Sequence, residues 1–498
     1  MTLLDYIVFT VYLGMVILIG IAFSRKHRSV EGYFLAGRSV PGWVVGFSIV
    51  GTIIGSGTFI GHPGEVVHSN MWGMATLVML LPVMLFVSRY VVVLYRRRVG
   101  LSVYGFLEDR FGYPARLYGS LAFLLNRIID VSVTYYFLAV AITTLTGWDI
   151  KLVIVLVGIL TVMYTLIGGI SAVVWTDVLQ SLMLIGGGLV CLGTALWGTG
   201  ASAGTVLCHA WDAGKFSWGA WTPSLVDDNV WIFLALSTVW ALQRYATDQH
   251  VVQRYLIAKS DSDAQRAALG GAFTSVPVWM LFAILGACVW SSYDLAGGLP
   301  EEAIQNPSAI MPIFFKTQLP VGVVGLIVAA LVAGAMSSLD SDMNSMATVV
   351  VDDFFLRKRP GASERQTLLV GKLVVGVSGL LSVGAATQWI GVQSAVTLMA
   401  DLFSVAAAGV LGLFLAGLLI DRVDSRGAFA GILGAVAFTV WSTGTSLTIP
   451  ALGGPILDLG AMNFNLNTKL IGVFGNLVFL VLAVAASRRK EPDADTIP

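Results

Sequence analysis

VAGAMSSLDSDMNS, residues 332–345, is a polar stripe inside an otherwise apolar helix. Gly334, Ser337, Ser338, Ser341 and Ser345 recur at three- and four-residue spacing and therefore share one helix face. Asp340 and Asp342 stand among them. A carboxylate in a bilayer-spanning helix costs about 2.5–3.5 kcal/mol on insertion scales, so it turns toward a partner or an aqueous path. Clustered hydroxyls, carbonyls and carboxylate oxygens suit a small hard cation. The stretch points to a membrane as the solvent and to ion binding inside it.

The rest of the chain agrees. Of 498 residues, 56% are hydrophobic and only 12% charged, with a mean hydropathy of +0.83. A soluble protein of this length would carry about 25% charged residues. A net charge of zero excludes a general nucleic-acid footprint. Cys191, Cys208 and Cys288 are scattered with no C-x-x-C pair, which points to neither a disulfide framework nor a zinc site. The first apolar run follows Asp5, lacks a basic start and is succeeded by Arg25, Lys26 and Arg28, the pattern of an uncleaved first span.

About 20 apolar residues cross the hydrocarbon core. The sequence predicts thirteen such runs: 5–24, 42–62, 71–94, 117–143, 150–168, 177–198, 229–247, 270–292, 321–350, 368–389, 395–420, 427–447 and 470–487. Connections alternating from 25–41 hold 23 Lys and Arg, the opposite set only Lys151, Lys215, Lys316 and Lys469. Cytoplasmic loops carry the excess of basic residues, so the N-terminus is expected outside and the C-terminus in the cytoplasm. The longest connection on the outer side, 199–228, is expected as a short amphipathic lid or a loop resting on headgroups.

Span 2 contains GFSIVGTIIGSGTFIG, residues 46–61, with Gly46, Gly51, Gly55, Gly57 and Gly61. Glycine inside a helix costs about 1 kcal/mol relative to alanine. Two readings explain the cost: an unwound helix aiming its backbone at a cavity, or a small-residue packing face. Gly51 and Ile54 fall nine to twelve residues from the cytoplasmic end of span 2, and Ser337 and Ser338 about twelve from that of span 9. The two features sit at matching depth, and Asp177 and Asp340 lie nearer the cytoplasmic side.

YFLAGRSVPGW (33–43), LIGGISAVVWTDVLQ (166–180), TDQHVVQRYLIAKSDSDAQRA (247–267) and the SSL of span 9, in that order, resemble the sodium:solute symporter family. The likeness runs from span 1 to at least span 11 and is nearest the bacterial branch of proline, pantothenate, sialic acid and sugar carriers. It implies an all-α integral membrane protein of the bacterial inner membrane with the leucine-transporter-type fold. Spans 2–6 (42–198) and 7–11 (229–420) would form two inverted five-helix repeats. One span (5–24) would precede them and two (427–487) follow, with a cytoplasmic tail at 488–498, all in one transporter domain. Sodium is the implied coupling ion. Its first site would use backbone carbonyls of Gly51, Ile54 and Gly334 with hydroxyls of Ser337 and Ser338. A second would use Asp177, Asp340 and Ser341, although Asp340 stands where the family pattern expects a serine and could admit a proton or pair with an arginine instead.

The solute pocket is expected outward of the first site. Thr58 and Ala400 replace glutamines of sugar-binding relatives, which speaks against a galactose-type hexose. In span 4, Arg127 and Asp130 share a face at i, i+3. They are either a mutually neutralising pair or a pocket pair in which Asp130 holds an ammonium or sugar hydroxyls and Arg127 a carboxylate. Trp240 and Asp248 flank the part of span 7 expected to unwind, where Asp248 either reaches the solute or caps a helix near Arg254. The expected function is sodium-driven symport of a small polar organic solute: an amino acid, a sialic acid or sugar, or a carboxylate. No enzymatic constellation and no obligatory protein partner is evident in the sequence. A proton-coupled carrier of the same fold, or a sensor, is the alternative; the chain's end about eleven residues after span 13 speaks against a sensor with an appended kinase.

Overall fold

A computed structural model describes residues 2–24, 29–198, 200–392, 402, 409–446, 448–449 and 454–488. Ala400 and most of 395–409 lie outside these. Among the described residues the regular structure is helical, joined by turns and loops, apart from one two-residue antiparallel pairing of 448–449 with 454–455 and an isolated bridge. The helices used below are α1 (Leu3–Ser24), α2 (Gly42–Ile53), α3 (Gly57–His68), α4 (Met71–Arg98), α5 (Tyr113–Thr146), α6 (Ile150–Trp197), α7 (Ala203–Asp212), α8 (Val230–Ala246), α9 (Gln249–Ile257), α10 (Asp261–Leu295), α11 (Val323–Leu356), α12 (Glu364–Ala386), α13 (Val410–Leu419), α14 (Ser425–Ser446) and α15 (Ile471–Ala486).

Local chemistry sets the boundaries. The side chains of Asp149, Asn229 and Ser260 accept hydrogen bonds from the backbone N–H groups of Leu152 (3.0 Å), Ile232 (3.1 Å) and Asp263 (3.1 Å), capping α6, α8 and α10. Helix α5 opens with Pro114 in its first turn and closes on Gly147 in the left-handed region.

Eight described helices are long and apolar enough to cross a bilayer, nine if the bent pair α2 and α3 is one span. Shorter apolar helices Leu3–Val16, Ile150–Met163 and Val410–Leu419 fall below that length. Outward faces are apolar where lipid would lie: Leu369, Leu373, Leu380 and Leu381 on α12, and Phe429, Leu433 and Val440 on α14, are exposed. Helix α11 is the axis of the molecule. Its most apolar window is 83% buried, against 33% for α12, and it packs on α1, α5, α6 and α12.

The sequence reading placed a loop at 169–176 between two spans, and here the structure differs. The two spans remain distinct, but the connection between them is Gly169 alone: the two halves of α6 meet there, Gly169 adopting φ +58° and ψ 178°. A Cβ there would lie 2.9 Å from the Tyr33 ring, so the turn is made by one residue that tolerates both the dihedral and the closeness. No polar segment is needed.

The 199–228 connection is anchored rather than loose. Helix α7 packs on α10. Lys215, 8% exposed, donates to the carbonyls of Val67 (2.7 Å) and Ser69 (2.9 Å) at the end of α3 and lies over the Trp290 ring. His209 stacks on the same ring and meets Asp294 at 2.8 Å.

Candidate functional site: two interrupted helices around the axis

The first interruption separates α2 from α3. Ile54 is extended (φ −106°, ψ 103°), and the two halves are bent by 56°. The Ile54 N–H still bonds the Val50 carbonyl (2.9 Å), and the next backbone bonds fall on Gly55, from Thr58 and Phe59. The last-turn carbonyls of a helix have no intrahelical donor. For α2 those are the carbonyls of residues 51–54.

Helix α11 closes against this end. A Cβ on Gly55 would stand 2.7 Å from Ser338 Oγ and 3.3 Å from the Gly334 carbonyl. One on Gly51 would stand 2.7 Å from Ser337 Oγ and from Ser181 Oγ. The glycines serve both purposes weighed in the sequence: Gly51 and Gly55 allow the close approach, and the chain unwinds beside them. Ser338 Oγ is loosely held, 3.4 Å from the carbonyls of Thr52 and Gly334. Gly51, Ile54, Gly334, Ser337 and Ser338 are thus drawn from two segments that pack together, as their matched depth predicts.

Behind them lies a charged knot that the sequence did not reveal. Asp177 accepts from Ser337 (2.5 Å), Ser48 and Arg254 (3.3 Å). Arg254 also donates to Ser48 (2.9 Å), to the His250 carbonyl (2.6 Å) and to Ser341. All of these side chains are fully buried. The guanidinium therefore bonds both Asp177 and Ser341. Asp340 points elsewhere: one oxygen accepts from Thr165 (2.7 Å), and the other has no hydrogen-bond partner. Arg254 was legible only as a helix-cap neighbour, and Thr165 gave no signal in its own span.

The second interruption falls between α8 and α9, at Thr247 and Asp248. Asp248 stands at the N-cap position, but its side chain makes no capping bond. Instead its carboxylate lies 3.5 Å from both Arg127 and Arg244. Arg127 also reaches Asp130 (2.7 Å) and Asp342 (3.2 Å), and Arg244 reaches Asp130 (3.3 Å). Three carboxylates thus surround two guanidiniums. Arg127, Asp130 and Asp248 come together here; Arg244 and Asp342 complete the group. Thr58 and Trp240 lie outside it, Thr58 buried beyond the first break and Trp240 against Trp279.

The quoted motifs join these parts. Val40 and Ala258 form a parallel bridge, and Gln253 donates to the Phe34 carbonyl (2.7 Å), Asn344 (3.1 Å) and Thr348 (3.1 Å). The 33–43 and 247–267 segments are one structural joint, tied to α11 at Asn344 and Thr348.

The Sodium:solute symporter family model matches residues 33–434. A sodium/sialic acid symporter of Aliivibrio fischeri is 30% identical over 449 residues, 88% of this chain and 87% of that one. A sodium/glucose cotransporter of Vibrio parahaemolyticus is 27% identical, covering 90% and 87%. Among solved structures, a sodium-coupled sialic acid symporter in a substrate-bound, outward-open state aligns over 98% of this chain and 99% of its own, with a TM-score of 0.86 and 26% identity.

Proposed function

We propose, from the premise that this chain belongs to the sodium:solute symporter family, that it uses an inward sodium gradient to take up a small polar organic solute by alternating access. The observation that carries the reading is the close approach of Gly55 at the α2 break to Ser338 and Gly334 of α11. Five oxygens converge by sequence position: the carbonyls of Gly51, Ile54 and Gly334 and the hydroxyls of Ser337 and Ser338. All are neutral, hard and partly free of other bonds, which fits sodium.

Coupling follows from linkage. Sodium joins α2 to α11 and so favours the arrangement in which the first break, and with it the solute pocket, is formed; the gain in affinity is reciprocal. Thr58, Arg127, Asp130, Trp240 and Asp248 flank the pocket between the two breaks. Broken helices lining a midplane site, with one repeat rocking against the other, are the way such folds alternate. The relatives' sialic acid and glucose mark the classes of solute such a pocket serves, alongside amino acids and carboxylates. No chemical change of the solute is part of this reading, and no obligatory protein partner.

The same reading takes thirteen spans, with spans 2–6 and 7–11 as inverted repeats. The N-terminus lies outside and the C-terminus in the cytoplasm of a bacterial inner membrane. A second sodium at Asp177, Asp340 and Ser341 is part of it, with Asp340 supplying the unengaged oxygen; the guanidinium of Arg254 would have to yield Asp177 and Ser341 for all three to act together.

Proteoliposome uptake of a radiolabelled panel, with and without an inward sodium gradient, is the test. Sodium-dependent accumulation that is lost in Ser338→Ala supports symport. Uptake that follows a proton gradient and ignores sodium overturns it.

A further inference from the structure

We infer that the crevice between α14 and the start of α5 binds one anionic phospholipid, its acyl chain along the groove and its phosphate at Arg426. The inference goes beyond the transport reading and depends on neither the solute nor the coupling ion.

The groove comes from side-chain size. Helix α14 meets α5 and the short helix Gly105–Phe111 that precedes it. Where they converge, α5 presents Pro114 and Ala115, and α14 presents Ala428. Side chains this short leave the space between the helices unfilled, and a cavity of about 490 Å³ remains. Small-ligand sites span about 300–1,000 Å³. Phe111, Ala115, Ala428 and Ile432 are its buried floor, while Phe429 and Leu433 beside them are 53% and 55% exposed.

Its position is that of a lipid. The lining on α14 runs from Ser425 to Leu433, about 12 Å of helix rise. It starts beside the polar loop 420–424 and continues into an apolar helix of spanning length. About 12 Å is less than half of a hydrocarbon core of about 30 Å, so the groove belongs to one leaflet.

The rim is basic. Arg426 lines the mouth. Arg110 lies over the Phe111 ring and donates to the carbonyls of Ile420 (3.2 Å) and Asp421 (2.7 Å). Arg422 donates to the Val484 carbonyl (3.3 Å). Asp424 accepts from the backbone N–H groups of Gly427 (2.8 Å) and Arg488 (3.4 Å), which places Arg488 on the same rim. Asp421 and Asp424 offset two of these four arginines. Asp109 turns to a neighbouring cavity beside Arg98, and Glu108 is paired with Arg116 and Arg357. The rim therefore keeps a positive excess, the charge that anionic headgroups seek in pockets between membrane helices.

Apolar walls below a cationic rim select the occupant. A peptide in the groove would carry backbone N–H and C=O groups into hydrocarbon, where helix walls offer them no partners. An acyl chain has no such groups. A zwitterionic lipid matches the groove but brings an ammonium toward the arginines; an anionic one matches both parts. Seated there, it ties α14 to the helix that carries Arg127 and Asp130.

The test is native mass spectrometry of the full chain in detergent, stripped of lipid and titrated with palmitoyl-oleoyl phosphatidylglycerol, the matching phosphatidylcholine, or glycerol 3-phosphate. Retention of one phosphatidylglycerol, preferred about fivefold or more over phosphatidylcholine, is expected. Glycerol 3-phosphate should not be retained. Arg426→Gln should abolish the preference, and Ala430→Trp, which fills the groove, should lower retention of both lipids by about fivefold or more. Arg426 is exposed, so its variant decides the matter should Ala430→Trp misfold. Equal retention of the two lipids by the unaltered chain, or a preference unchanged in Arg426→Gln, overturns the inference. Glycerol 3-phosphate held as well as phosphatidylglycerol also overturns it, by leaving the groove no part. A dimer mass without lipid, lost in Ala430→Trp, gives the groove to a second copy and does the same.

Discussion

The two helix breaks lie in one molecule and are made of opposite materials. At the α2 break the facing groups are carbonyls and serine hydroxyls, and Ser338 is held by two contacts of 3.4 Å. At the α8–α9 break three carboxylates interlock with two guanidiniums at 2.7–3.5 Å. A cradle of carbonyls and hydroxyls in which Ser338 is loosely held suits an ion that must arrive and leave. A cluster of opposite charges suits a joint that resists opening on its own. The difference teaches that a break in a membrane helix has no fixed purpose: the residues beside it decide whether it exchanges ions or keeps them.

The comparison breaks most visibly if the charged joint is dispensable. Arg127→Ala leaves three carboxylates facing one guanidinium, and stability in detergent should fall by about 3–5 kcal/mol, the usual cost of stripping one partner from a buried pair. A melting temperature equal to wild type would end the claim that this break is structural. At the neutral break the effect should fall on the ion instead. Ser338→Ala should raise sodium half-saturation of uptake about tenfold, ~1.4 kcal/mol, with a stability change below about 0.5 kcal/mol. Equal losses of stability and sodium affinity would erase the distinction.

Gly55→Ala sharpens the same point. Its Cβ would stand 2.7 Å from Ser338 Oγ, so the hydroxyl must shift. Sodium half-saturation should rise about threefold, ~0.6 kcal/mol; no change would remove Ser338 from the site. The smallest effect is expected away from both breaks, at Glu108. Burial draws this carboxyl upward, but hydrogen bonds from Arg116 (2.9 Å) and Arg357 outweigh it and hold the group below its ordinary value of 4.5. A depressed folded pKa gives stability that is present above 4.5 and lost as pH falls through the folded value. Glu108→Gln should therefore cost less than about 1 kcal/mol at neutral pH, since solvent reaches the site. The cost should shrink as melts are taken progressively below pH 4.5.

What the sequence disclosed was local. The serine stripe and the glycine run each advertise themselves by spacing, and the motif order pointed to the family that the comparisons confirm. The Arg127–Asp130 pair was visible because i, i+3 residues meet on any helix. Arg244 and Asp342, 114 and 215 residues from their partners, were not. Arg254 shows the limit best. Its neighbours at i−6 and i−5 suggested a cap, whereas the folded chain drives it into the interior between Ser48, Asp177 and Ser341. Burial and long-range charge pairing are decided by packing, and no periodicity records them. The shortness of the turn at Gly169 was missed for a related reason, since a single glycine leaves no polar stretch to mark where one helix ends and the next begins.

Lys215 binds the α7 connection to the carbonyl end of α3, so this half of the broken helix cannot swing without dragging that connection along. Cys208 sits on α7 and is exposed, while Cys191 and Cys288 are buried. A maleimide dye on the native protein will therefore attach at that one thiol. Its fluorescence will report movement of the α7 connection in real time, from a position outside both breaks.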